Sequence, residues 1–277
     1  MKILVTGANG YLGQGIVNQL VNDGHNVIAT DISCRNINSQ ATSIECDIFS
    51  ITNPFEYFEK PDILLHLAWR NGFIHNAISH MEDLPLHYKF LKSFVDSKIK
   101  QIAVLGTMHE VGFYEGSIDE NTPTHPQSLY GIAKNALRDA LDVLAINTDT
   151  TVQWIRGFYI VGNSEHGSSI FSKITAAEKE GKTEFPFTSG QNQWDFIDYD
   201  KFCCYVAKII EQKQVTGIIN VCSGFPEKLA DRVERFIKEH HYKISLSYGK
   251  FPDRPYDSKA VWGNDHKLKT IITSTNK

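Results

Sequence analysis

Short apolar runs alternate with helical spacing along the first 160 residues. Lys2 to Thr6 (KILVT) is apolar without a break, which predicts a strand buried on both faces. From Gly10 to Asp23 the apolar positions are Leu12, Ile16, Val17, Leu20 and Val21, the spacing of one helix face, and Gly24 stands where such a helix stops. The pattern then repeats. Strands are expected at Asn26–Asp31, Thr42–Ile48, Asp62–Ala68, Gln101–Gly106 and Val152–Phe158. Helices fill the gaps, most clearly over Pro85–Ser97 and Leu129–Ile146. This alternation predicts an α/β fold with a doubly wound parallel sheet covered on both faces. Beyond Gly162 the pattern becomes irregular, in stretches such as GNSEHGSS, TSGQNQ and YGKFPDRPYDS. Loops of that kind commonly surround a ligand.

The turn between the first strand and the first helix reads TGANGYLG. Gly7 permits a tight turn, Gly10 lets the backbone approach a pyrophosphate, and Gly13 lets the helix pack close to the sheet. The helix N-terminus then offers N–H groups and a positive dipole end to the phosphates. Asn9, Tyr11 and Leu12 lie within the same turn and are candidate cofactor contacts. Asp31 closes the second strand, with Ile32 after it. A carboxylate there accepts ribose hydroxyls and repels a 2′-phosphate, which favours NAD(H). Arg35, four residues on, keeps NADP(H) open. Asp47 and Ile48, ending the third strand, are placed to meet an adenine ring, with a helix N-cap as the alternative for Asp47. The expected division is therefore a Rossmann-like NAD(P)-binding domain over residues 1–160, with 191–215 returning to it, and a smaller α/β substrate-binding part over 161–277.

Composition narrows the partners. The chain has 277 residues, 42% hydrophobic, and a net charge of −4, so a nucleic-acid partner is not expected. No apolar run reaches the roughly 18 residues of a membrane span, and Ile3–Val5 is too short for a signal peptide. The five cysteines are irregularly spaced without a CxxC pair, and the 11 histidines form no HxxxH or HExxH cluster. Neither a metal site nor a disulfide framework is expected, and a reducing cytoplasm suits such thiols.

Tyr130 and Lys134, in SLYGIAKNALRDAL, are four residues apart near a helix start and so share a face. A lysine ammonium beside a tyrosine favours the phenolate and lowers its pKa toward the working range. Tyr130 could then move a proton at a substrate oxygen. Thr107 offers a hydroxyl that polarises the same oxygen. Its neighbours His109 and Glu110 stay open between auxiliary acid/base groups and loop or capping residues.

These features together resemble the extended branch of the short-chain dehydrogenase/reductase superfamily, the NAD-dependent epimerase/dehydratase family. TGANGYLG is similar to its TGxxGxxG turn, and His66-Leu67-Ala68-Trp69 to the HLAA stretch that lines the cofactor. Gly106-Thr107 with Gly112 resembles SSxxVYG, and Tyr130 to Lys134 is the YxxxK signature. Arg156 to Gly162 (RGFYIVG) resembles RxFNVYG, Trp194-Asp195-Phe196-Ile197 the RDFI segment, GIINVCSG the GxYNxGxG stretch, and Arg254-Pro255-Tyr256-Asp257 the RPxD motif.

The resemblance implies that Thr107, Tyr130 and Lys134 are catalytic, and that Leu67, Ala68, Trp69, Phe158 and Ile160 join the cofactor site. It implies a nucleotide-sugar substrate met by Thr107, His109, Tyr159, Ser169, Ile170, Phe185, Phe187 and Arg254. For Phe185 and Phe187, core packing is an equal reading. Family members that dehydrate carry an Asp-Glu pair after the Ser/Thr, whereas Met108-His109 stands here, which argues against dehydration. Trp194 stands where many relatives place an Arg for the diphosphate. The stretch from Thr107 to Arg138 is most similar to bacterial reductases of dTDP-4-keto-6-deoxy sugars. The expectation is NAD(P)H-dependent reduction of a C4 ketone by a homodimer. A 4-epimerase holding its NAD, and a non-catalytic NAD(P) sensor, are the alternatives.

Overall fold

A computed structural model describes residues 1–163, 169–253 and 257–275. In chain order the elements are β1 (Lys2–Thr6), α1 (Tyr11–Asn22), β2 (Asn26–Asp31), β3 (Thr42–Glu45), α2 (Pro54–Tyr57), β4 (Ile63–His66), α3 (Ser79–Asp96), β5 (Gln101–Thr107) and β6 (Gly116–Ile118). They continue with α4 (Leu129–Ala145), β7 (Thr151–Gly157), β8 (Tyr159–Val161), α5 (Ile170–Lys179), β9 (Glu184–Pro186), β10 (Gln193–Asp198) and α6 (Tyr199–Ile210). The last are β11 (Gly217–Val221), β12 (Pro226–Lys228), α7 (Leu229–Glu239), β13 (Ser245–Ser247), β14 (Ala260–Gly263) and α8 (His266–Thr275).

Seven parallel strands form the main sheet in the order β11-β7-β5-β4-β1-β2-β3. This is a Rossmann-like order, with its reversal between β1 and β4. Alternation along each strand feeds both faces. Ile3 and Val5 of β1 join Ile16, Val17 and Leu20 of α1, Phe202 and Val206 of α6, and Leu268 and Ile271 of α8 on one side. Leu4 joins Phe90, Leu91 and Phe94 of α3 and Leu137 and Leu141 of α4 on the other. The chain beyond residue 160 thus returns to the main sheet through α6, β11 and α8. A smaller sheet of β12, β10, β14 and β6, with β8 also paired to β10, packs on α5 and α7. Among the described residues no helix is long and apolar enough to cross a membrane.

Two boundaries differ from the sequence reading. The helix expected from Pro85 begins at Ser79 and runs through the proline. Its extra turn is held from upstream, where Asn71 donates to Ser79 Oγ at 3.0 Å and His80 bonds Ile74 O at 3.0 Å. The third strand stops at Glu45. Asp47 accepts Phe49 N–H at 3.0 Å and caps a single 3-10 turn over Ile48–Ser50.

Asp195 ties the two sheets together above the strand ends. It is fully buried on β10. Its carboxylate accepts Ser223 N–H and hydroxyl at 2.7 Å each, just past β11, and Gly224 N–H and Gly263 N–H at 3.0 Å each. Burial raises its pKa, and those bonds pull it back down. Asp195→Ala would leave buried N–H groups unpaired, so a loss of at least about 3 kcal/mol is expected in urea denaturation. A loss under about 1 kcal/mol would show that the clasp is dispensable.

Candidate active site

The cofactor side of the site lies where β1 and β4 part. Gly7 has φ +70°, and a Cβ there would lie 2.6 Å from Ala68 N, so the glycine turn and the end of β4 meet backbone to backbone. That contact sets Leu67 and Ala68 against Gly7, with Trp69 following them. The N-cap of α1 is Gly10, with no side chain bonded over the first turn. One strand away, Asp31 accepts Asn9 N–H at 3.0 Å and Ile32 N–H at 2.7 Å, which fixes its carboxylate against the turn. Asn9 Oδ1 in turn accepts Asn36 N–H at 3.1 Å. Tyr11 donates to Gly162 O at 2.7 Å, and Leu12 packs on the core. A helix N-terminus without a covering side chain, and a fixed carboxylate beside it, fit the pyrophosphate and ribose of a dinucleotide.

Thr107 ends β5, and Tyr130 and Lys134 occupy the first turns of α4. Ser128 caps that helix by accepting Gly131 N–H at 3.1 Å. The segment after β4 docks on it: Tyr130 N–H donates to His75 O at 2.9 Å and Leu129 N–H to Asn76 Oδ1 at 3.2 Å. The Tyr130 hydroxyl interacts with the Thr107 side chain. Its pKa is nonetheless raised. Desolvation dominates, the Thr107 side chain pulls it down, and the charge of Glu110 pushes it further up. This corrects the expectation that Lys134 brings the phenol toward neutrality. Lys134 instead donates to Leu105 O at 2.7 Å and lies 3.9 Å from the centroid of the Trp69 ring. It is 1% exposed, and burial lowers its pKa to about 7, against the pull of Glu110.

Histidines surround this pair, a feature with no local sequence signal. His75 stacks on Tyr130 with centroids 5.6 Å apart, and His109 lies 4.4 Å from His75. Burial lowers the His109 pKa to about 4. Trp69 donates its indole N–H to His80 Nδ1 at 3.0 Å, which makes His80 Nε2 the protonated nitrogen facing Ile74 O. Beneath Trp69, His87 stacks at 4.4 Å, bonds His66 at 2.9 Å, and His66 bonds Thr6 at 2.8 Å. Burial lowers the His66 pKa to about 3, so this column is neutral.

Other candidates fall into different settings. Phe158 and Ile160 are buried or half-buried around the end of β7. Tyr159 stacks on Trp194 at 4.6 Å and 10°, so the position expected to hold a charge is an aromatic wall. Ile48 is a core residue, and Ile32 is 76% exposed. Ser169 caps α5 by accepting Ser172 N–H at 3.2 Å, and Ile170 and Phe185 pack against the small core. Phe187 is 1% exposed within that core, so it serves packing rather than bordering a base. Arg254 lies outside the described residues. Glu110 resolves as a capping and ion-paired group, 0% exposed. Its partners Arg138, Trp154 and Arg156 come from distant segments that no spacing rule joins. Among the described residues, no group of His, Cys, Asp or Glu is arranged to hold a metal.

The model of the NAD dependent epimerase/dehydratase family matches residues 3–222, and the chain belongs to that family. Among curated relatives, it is 43% identical to dTDP-6-deoxy-L-talose 4-dehydrogenase (NAD(+)) of Aggregatibacter actinomycetemcomitans, over 95% of this chain and 99% of that one. It is 20% identical to GDP-6-deoxy-D-talose 4-dehydrogenase of the same organism, over 98% of this chain and 91% of that one. Its fold is shared with MoeE5, solved with UDP-glucuronic acid and NAD, at a TM-score of 0.83 and 18% identity, covering 99% of this chain and 93% of that one.

The depressed Lys134 pKa has a consequence for stability. Between pH 7 and the ordinary lysine range the unfolded chain binds a proton that the folded chain does not, so stability gains with rising pH. Wild type should therefore gain on Lys134→Met between pH 7 and 9.5 in chemical denaturation. Parallel profiles would show that Lys134 keeps an ordinary affinity for its proton.

Proposed function

We propose that this protein is an NAD-linked oxidoreductase acting at C4 of a dTDP-bound 6-deoxyhexose, and that it works as the reductase of the 4-ketone. The observation that carries the reading is Tyr130, half-buried, interacting with the Thr107 side chain, packed edge-on to Trp69 and kept protonated by desolvation. The 43% identity over nearly the whole of both chains supports the sugar and the cofactor. Gly7, Gly10 and Gly13 would hold the pyrophosphate, Asp31 the adenosine ribose, and Lys134 the nicotinamide ribose. The fixed Asp31 carboxylate favours NAD over NADP. The chemistry NADH would supply when held there is a hydride for C4. Tyr130 gives its proton to O4, Thr107 bonds the same oxygen, and the ketone becomes a secondary alcohol with one hydride and one proton gained.

6-Deoxy-L-talose and L-rhamnose differ only at C4, so one ketone underlies both. The Tyr159–Trp194 wall would face the sugar or its diphosphate. A cytoplasmic homodimer, formed through α3 and α4, completes the reading. A monomer in light scattering would remove that part and leave the chemistry.

The test is spectrophotometric. The protein is mixed with dTDP-6-deoxy-L-talose and NAD+ or NADP+, and separately with dTDP-4-keto-6-deoxyglucose and NADH or NADPH. A change in nicotinamide absorbance with either sugar supports the reading and ranks the cofactors. No change, alongside interconversion of a UDP-hexose with its C4 epimer, would replace it with a 4-epimerase. Tyr130→Phe should bind NADH as the wild type does and lose ~10²-fold or more in kcat. Turnover within about threefold of wild type would remove Tyr130 as the proton donor.

A further inference from the structure

The turn that carries Thr107 is held by a carboxylate buried three residues further on. Glu110 is 0% exposed. Its Oε1 accepts the Thr107 backbone N–H at 2.7 Å and the Trp154 indole N–H at 2.8 Å. Its Oε2 accepts Arg156 Nη2 at 3.3 Å and Arg138 Nη1 at 3.4 Å. Arg156, also fully buried, comes from β7 and donates a further N–H to Asp119 O at 3.1 Å. Arg138 is on α4, one turn beyond Lys134 and two beyond Tyr130, so the three share a helix face. One carboxylate thus joins the Thr107 backbone, the neighbouring strand and the helix that presents Tyr130.

The surroundings are built around this group. A Cβ on Gly106 would lie 2.0 Å from Trp154 Nε1 and 2.7 Å from Glu110 Oε1, so the bare glycine is what admits the indole and the carboxylate. Stability alone does not require such a device, because apolar residues of similar volume commonly replace buried ion pairs without loss. A carboxylate adds direction. Its two oxygens fix the distance and angle between the elements they bridge.

We infer that Glu110 is a positioning residue, which sets the Thr107 hydroxyl against Tyr130 by tying the Thr107 backbone to α4. The inference rests on the proposed function, in which Thr107 and Tyr130 meet the same substrate oxygen. The electrostatics agree with it. The negative charge adds to the proton affinity of Tyr130 and opposes part of the fall that burial imposes on Lys134.

The first variant is Glu110→Gln, which keeps the shape but must turn its NH₂ toward one of two sets of donors. The expected result is a fall in kcat of ~10-fold or more, since small displacements of reacting groups cost up to ~10²-fold. KM, and NADH affinity read by nicotinamide fluorescence, should stay within about twofold. Leu141→Ala, a buried residue of the same helix outside the clamp, measures what lost stability does by itself, and should keep kcat within about threefold. Arg138→Met cuts the Glu110 tie to α4, along with a half-exposed pair to the adjacent Asp139, and should repeat the kcat loss in smaller degree, which keeps the test available if Glu110→Gln does not fold. Crystal structures of wild type and of the folded clamp variants give a second readout, in which the Thr107 hydroxyl should lie further from the Tyr130 hydroxyl than in wild type.

Unchanged kcat in both clamp variants, a loss in Leu141→Ala as large as theirs, or an unchanged Thr107–Tyr130 separation would overturn the inference. If the wild type turns over none of the sugars tested, the functional reading fails. The crystallographic comparison then still decides whether Glu110 holds Thr107 in place.

Discussion

A parallel sheet covered by helices on both faces can present chemistry only where its strands end. Every feature of the site follows from that constraint. The side chains of β1, β4 and β5 are consumed by the two cores within the strands themselves. Only the residues that follow them, the glycine turn, Leu67 to Trp69 and Thr107, are left to face a ligand. The reversal of strand order between β1 and β4 opens a cleft between the first two of these. The close approach of Gly7 to Ala68 then sets its floor.

Buried polar groups hold those strand ends in register. Thr6, His66 and His87 form a neutral hydrogen-bonded column from β1 to α3, and Trp69 stacks on its end. Glu110 does the same at the end of β5, and Asp195 at the junction of the small sheet with β11. Each sits in a low-dielectric interior where an unmet donor or acceptor is costly, so each is surrounded by partners that meet it. The price is a core less tolerant of substitution. The gain is that backbone positions, and not only side chains, are fixed around the reacting atoms.

The electrostatics of Tyr130 and Lys134 differ from a simple lysine–tyrosine couple. Lys134 sits over Trp69 and bonds Leu105 O, while desolvation holds the phenol protonated. A protonated phenol is the form that donates to a developing alkoxide, and the reverse oxidation needs the phenolate. Burial lowers the His109 pKa, so this neighbour of Tyr130 adds polarity without adding positive charge.

The sequence by itself determined the parallel α/β sheet, the glycine turn and its acidic partner Asp31, and the pairing of Tyr130 with Lys134 on one helix face. These rest on periods of two and 3.6 residues and on glycine stereochemistry, which are local and can be read along a chain. It also placed Thr107 at a strand end. It extended the third strand too far, because a cap formed by Asp47 competes with strand pairing at that position. It left Glu110 open and offered Phe187 to the substrate, because burial is not visible in one segment. Only the tertiary structure brought Arg138, Trp154 and Arg156 to Glu110, stacked Tyr159 on Trp194, and turned Lys134 toward Trp69. Those contacts join residues far apart in the chain. Their energies depend on desolvation, which exists only once the whole fold has closed around them.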